Sequence, residues 1–157
     1  MAINLFISFT EKDREQLESF RALATNPNHV LKFRDRSMKT AVTDKAGKPL
    51  PYPPNDHRGD AVREAVKDLF DKASRLVVLV GDTTHQSQWV NWEIRTFFDE
   101  KQQRGGHAER RMVAMRLNGH RKAALPKAVL DLGIQRINWN PDAFADWLDR
   151  DFNHRNI

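Results

Sequence analysis

The densest chemistry in this chain lies in one run, Thr84-His85-Gln86-Ser87-Gln88-Trp89-Val90-Asn91-Trp92-Glu93. At the helical advance of about 100° per residue, Val90, Ile94, Phe97 and Phe98 form an apolar stripe, and Trp89 and Glu93 stand one turn apart on its border. A carboxylate there, within two turns of a helix start and at the ligand-binding edge, is either exposed or partly screened by the indole one turn below it, a candidate for site chemistry. The same residues also fit a plainer arrangement, a solvated helix acid favouring the positive helix end and a tryptophan that packs. Trp92 falls away from both Glu93 and the stripe, as a packing or subunit-contact residue.

Other chemistries lack their residues. With no cysteine in the chain, disulfides, thiolate nucleophiles and sulfur-ligated zinc are excluded, and the composition suits a cytoplasmic protein. The six histidines are scattered, none four residues from another on an expected helix, so no metal site is expected. Neither GxGxxG nor GxxxxGK[ST] occurs, which argues against a dinucleotide dehydrogenase and a P-loop NTPase, and no GxSxG marks a serine hydrolase.

The elements that must position Glu93 follow from periodicity. Ile3–Phe9 reads as a strand buried on both faces, followed by a helix bearing Leu17, Phe20, Leu23 and Ala24 that stops at Asn26-Pro27-Asn28. Val30–Phe33 is expected as a second strand ending at Arg34-Asp35-Arg36. Residues 37–59, with five Gly and Pro residues before Arg58 and no sustained period, form a long loop. Asp60 is expected to cap a helix carrying Val62, Val66, Leu69 and Phe70. Leu76–Val80 is the clearest strand and belongs at the sheet centre. A helix from about Ser87 to Gln103 closes at Gly105-Gly106. Strands at Arg111–Leu117 and Ile134–Asn138, a short segment at Leu125–Leu130 and a last helix from Pro141 complete the series.

This alternation, over 157 residues, predicts one α/β domain across residues 1–157. Its expected architecture is a flavodoxin-like, doubly wound, five-stranded parallel sheet with helices on both faces, which binds ligands beyond the carboxyl ends of its strands. No apolar run reaches membrane-spanning length, and the N-terminus lacks a signal-peptide layout. The net charge of +5 favours anionic partners. Arg104, Arg110, Arg111, Arg116, Arg121 and Lys122 nevertheless straddle a strand and two loops without interleaved aromatics, so nucleic-acid binding is not expected.

Phe6-Ile7-Ser8-Phe9 followed by Asp13 resembles the first box of TIR (Toll/interleukin-1 receptor) domains. Ser87-x-Trp89-x-x-x-Glu93 resembles the signature of NAD-cleaving TIR enzymes. The central strand running into Gly81-Asp82-Thr83-Thr84-His85 is similar to the TIR-like ThsB proteins of the bacterial Thoeris antiphage system. Arg34-Asp35 stands where receptor-type domains carry Arg-Asp-x-x-Pro-Gly, but no Pro-Gly follows.

The resemblance implies an enzyme with NAD as substrate and no cofactor, Glu93 as the catalytic residue, and release of nicotinamide. It implies a cyclic or modified ADP-ribose that diffuses to a separate effector protein, with self-association of copies. Around Glu93 it directs attention to Ser8 and Phe9 as ligand contacts, Phe9 alternatively belonging to the core. Asp35 suits a ribose hydroxyl, or a pair with Arg34 or Arg36. Thr84, His85 and Ser87 precede the helix, where Thr84 or Ser87 would cap it and His85 would meet phosphate or substrate. Trp89 would stack on the pyridinium or exclude water. A catalytically silent TIR-like scaffold is the alternative from a different class.

Overall fold

The computed structural model describes residues 3–37 and 53–150. Five strands, β1 (Ile3–Ser8), β2 (Phe33–Asp35), β3 (Arg75–Val80), β4 (Met112–Arg116) and β5 (Gln135–Ile137), form one sheet in the order β2-β1-β3-β4-β5, every pair parallel. This is the flavodoxin-like order, with its switch point between β1 and β3. The helices are α1 (Arg14–Thr25), α2 (Asp60–Lys72), α3 (Gln88–Gly105), α4 (Lys127–Asp131) and α5 (Pro141–Leu148). None is long and apolar enough to cross a membrane. Most of the long loop foreseen over residues 37–59, residues 38–52, lies outside the described residues.

Alternation along the strands builds two cores. Phe6, Leu76, Val78 and Val80 face α2 and α3, where Val66, Phe70, Val90, Ile94 and Phe97 complete one buried cluster. Leu5, Ile7, Val77, Leu79 and Val113 face α1 and α5, packing on Leu17, Phe20, Phe144 and Trp147. All six residues of β3 are buried, as its run of apolar residues demands.

The helix starts show which local signals act. Ser87 Oγ accepts the Val90 N–H and caps α3, and Asn140 caps α5 through the Ala143 N–H with Pro141 in the first turn. Gly106, at φ 71°, ends α3.

Several boundaries differ from expectation, two of them informatively. β2 is Phe33–Asp35 rather than Val30–Phe33: Leu31 is buried from the preceding loop, Val30 is exposed, and the register pairs Phe33, Arg34 and Asp35 with Ile3, Asn4 and Leu5. An edge strand tolerates that charge because one margin faces solvent. Asp60 is the first residue of α2, not its cap; a short 3-10 turn at His57–Gly59 precedes it, capped by Asp56, whose carboxylate accepts the Arg58 N–H.

Candidate active site

Ser8 ends β1 with its side chain on the α3 side of the sheet, and Glu93 lies two turns into α3 on the buried stripe. The Ser8 hydroxyl donates to Glu93 Oε1 at 2.6 Å. Ser8 is 1% exposed and Glu93 5%, so Glu93 is not the solvated helix acid of the plainer reading. Among the described residues no cation lies within ion-pairing distance of it. Burial pushes its pKa from 4.5 up to about 8, and the Ser8 hydrogen bond pulls the other way by favouring the ionised form. The carboxyl group is therefore mostly protonated near neutrality.

Trp89, one turn earlier, is also buried. Its ring meets Trp92 edge-on at 5.6 Å between centroids. The far edge of the indole lies against Gly59: a Cβ there would stand 3.1 Å from Trp89 Cζ2. The segment before α2 thus covers Trp89, and it is tethered by Arg63, which donates to the carbonyls of Pro54 and Asp56. Trp92 packs against the α2–α3 core.

The structure separates other residues from this group. Phe9 points to the opposite face of the sheet, buried among Leu5, Ile7 and Leu17, with the Arg14 and Arg21 guanidinium carbons 5.9 and 5.6 Å from its ring centroid. Asp35 pairs with neither Arg34 nor Arg36. Its carboxylate takes Arg21 Nε at 2.7 Å and the Ser37 N–H at 2.9 Å. Arg21 therefore ties Asp35 and Phe9 together on the α1 side.

Thr84 is fully buried and does not cap α3. Its Oγ1 accepts the Gly81 N–H at 2.8 Å and lies 3.3 Å from Asp13 Oδ2. His85 is half-buried beside it, and its Nδ1, shielded from solvent, has no hydrogen-bond partner among the described residues. Ser87 is spent on the cap.

Sequence reasoning named Asp13 within the first TIR box and gave it no place in the site. The Asp13 carboxylate accepts from Thr10 Oγ1 at 3.0 Å and closes over Gly81, where a Cβ would lie 2.6 Å from Oδ2 and 2.7 Å from Cγ. This knot locks the loops after β1 and β3 together at the switch point. The signal was there in Thr10-x-x-Asp13 and Gly81-x-x-Thr84, but nothing local says that the two pairs meet. Gly81→Ala is expected to force the carboxylate out and cost about 1–3 kcal/mol, read by urea denaturation. An unchanged midpoint would show that the knot yields freely. Also unforeseen is the pair of His120 Nδ1 and Asp82 Oδ1, 2.8 Å apart, joining the loops after β4 and β3 at the same sheet edge.

Residues 6–122 match the family described as the TIR-like domain of the Thoeris protein ThsB. That span contains Ser8, the Asp13–Gly81–Thr84 knot and the whole of α3, and leaves α4, β5 and α5 beyond it. No curated protein matches the chain.

Proposed function

From the premise that this chain belongs to the Thoeris ThsB family of TIR-like domains, we propose that it is an antiphage-defence enzyme that cleaves NAD. In this reading it releases nicotinamide and makes a cyclic or modified ADP-ribose, which activates a separate effector protein. The observation that carries the reading is the Ser8–Glu93 pair: a buried carboxyl, without a cationic partner among the described residues, at the carboxyl edge of the sheet. A purely structural acid at such depth is normally matched by a cation. An unmatched one is the arrangement expected of a group awaiting a cationic ligand.

The chemistry needs little else from the chain. Nicotinamide leaves from ribose as a neutral base because it is bound as a pyridinium, so no general acid is required. The barrier is the oxocarbenium-like ribosyl cation, which an adjacent carboxylate stabilises more strongly than the substrate itself. The positive pyridinium favours loss of the Glu93 proton as NAD binds, and Ser8 donates to the carboxylate so formed. Access of water decides the product: water gives linear ADP-ribose, and a hydroxyl of the same nucleotide gives a cyclic one.

The test incubates the purified chain with NAD and measures nicotinamide by chromatography and nucleotide products by mass spectrometry. Nicotinamide release with a new ADP-ribose species supports the reading, and a chain that stays silent also when isolated from infected cells opposes it. On this mechanism kcat/KM rises with pH toward a limb near 8, because only the ionised carboxylate works in the free enzyme. Ser8→Ala removes the hydrogen bond that lowers the Glu93 pKa, so it is expected to displace that limb to higher pH. A limb that stays in place would assign it to another group.

A further inference from the structure

A second site lies at the other end of α3. Between the C-terminal ends of α2 and α3, at the amino edge of the sheet, is a cavity of ≈ 290 Å³ lined by Asp71, Lys72, Ser74, Lys101, Arg104 and Arg111 among others. Lys101 stands eight residues beyond Glu93, about 12 Å along the helix axis, so the cavity is separate from the Ser8–Glu93 pair.

Lys101 is the informative residue. It is only 8% exposed, its Nζ donates to the Phe70 carbonyl at 2.9 Å, and it lies 5.2 Å from the Phe97 ring centroid. An ammonium has three donors, and the nearest carboxylate oxygen, Glu100 Oε1, is 4.0 Å away, beyond hydrogen-bond reach. Among the described residues its hydrogen bonding therefore ends at Phe70. Glu100 Oε1 is likewise without a hydrogen-bond partner among the described residues, and an acceptor from outside the chain would match the ammonium donors that neither it nor the Phe70 carbonyl reaches.

The surroundings select the sign of that acceptor. Four cations line the cavity against the single carboxylate of Asp71. Glu100, next to it, has its pKa raised by burial and by its hydrogen bond with Asp71, which weakens its negative charge. Arg104 Nη2 meets Asp71 Oδ1 at 2.8 Å and stands 3.3 Å from Glu100 Oε1; the Arg104 and Asp71 side chains are both more than half exposed, so that first pair is weak and exchangeable. The carbonyl ends of α2 and α3 favour cations here and account for one donor of Lys101. They do not account for the convergence of four. The volume is at the lower end of small-molecule pockets, which fits a compact ligand.

We propose that this cavity binds a compact phosphate-bearing anion of about pyrophosphate size, gripped by Lys101, Arg104, Arg111 and Lys72. The ligand is either a free oxyanion or the phosphate end of a nucleotide. Calorimetric titration of the full chain at physiological salt, with inorganic phosphate, inorganic pyrophosphate and ADP as separate probes, tests it. Saturable binding of pyrophosphate at one site is expected, weakened tenfold or more by Lys101→Met and by Arg104→Gln. Lys127→Gln, which removes an exposed charge on α4, should leave it unchanged. Because Arg104 is exposed, its variant keeps the test decisive where Lys101→Met fails to fold. ADP binding more tightly than pyrophosphate, with the same loss in Arg104→Gln, assigns a nucleotide; ADP no tighter than pyrophosphate assigns the free anion. No saturable heat, or equal affinity in Arg104→Gln and the parent chain, would overturn the proposal. None of these readouts depends on NAD cleavage.

Discussion

Glu93→Gln is expected to lower nicotinamide release from NAD by about 10³-fold or more, with the fold intact. The side chain keeps its length, and its amide oxygen can still accept from the Ser8 hydroxyl, so the pocket wall is preserved. What is lost is the negative charge that would face the ribosyl cation. Removing one well-placed electrostatic stabiliser costs about 10²–10³ in rate in other enzymes, and here the carboxylate is asked to carry more because no metal, thiol or second acid is invoked. The measurement is nicotinamide release by the variant alongside its circular dichroism spectrum. Native spectra with undiminished release would remove Glu93 from the chemistry and favour the scaffold alternative.

The second large effect is on stability, and its sign follows from the same burial. The folded chain holds the Glu93 proton with a pKa of about 8, against 4.5 for an ordinary glutamate. Folding therefore binds that proton more tightly than unfolding does. The contribution of Glu93 is at its most favourable below about pH 4.5, declines as the pH rises between the two values, and levels off above about 8. At 1.36 kcal/mol per pKa unit the full swing is on the order of 5 kcal/mol, an upper figure. Glu93→Gln carries no such proton. Its melting temperature is accordingly expected to gain on that of the parent chain from pH 5 to pH 9, by on the order of 10 °C. Thermal denaturation of both proteins at one-unit pH steps checks this, and two curves that stay parallel would mean that Glu93 is solvated or paired in solution.

The two experiments bear on one tension. A carboxylate buried at this depth works against the fold, because desolvation disfavours its charged form. Ser8 offsets part of that cost with a single hydrogen bond, and the substrate's pyridinium is expected to offset more.

Local sequence was enough for the alternation of strands and helices, for β3 as the central strand, for the starts of the helices near Ser87 and at Pro141, and for the spacing of Trp89 and Glu93. Each of these depends on periodicity or on contacts within one helical turn, and the family resemblance rested on the same short motifs. Tertiary structure alone decided that Ser8 meets Glu93 across 85 residues of chain, that Asp13 closes over Gly81, and that Phe9 and Asp35 face α1 instead of α3. It also moved β2 into a charged stretch that apolar patterning passes over. The reason is that a strand's alternation says only that its faces differ; which helix layer covers each face is set by the sheet order and the register between distant segments. The depth of Glu93 belongs to the same class, since a charged residue on a helix border reads as exposed until the neighbouring strand and its serine are in place.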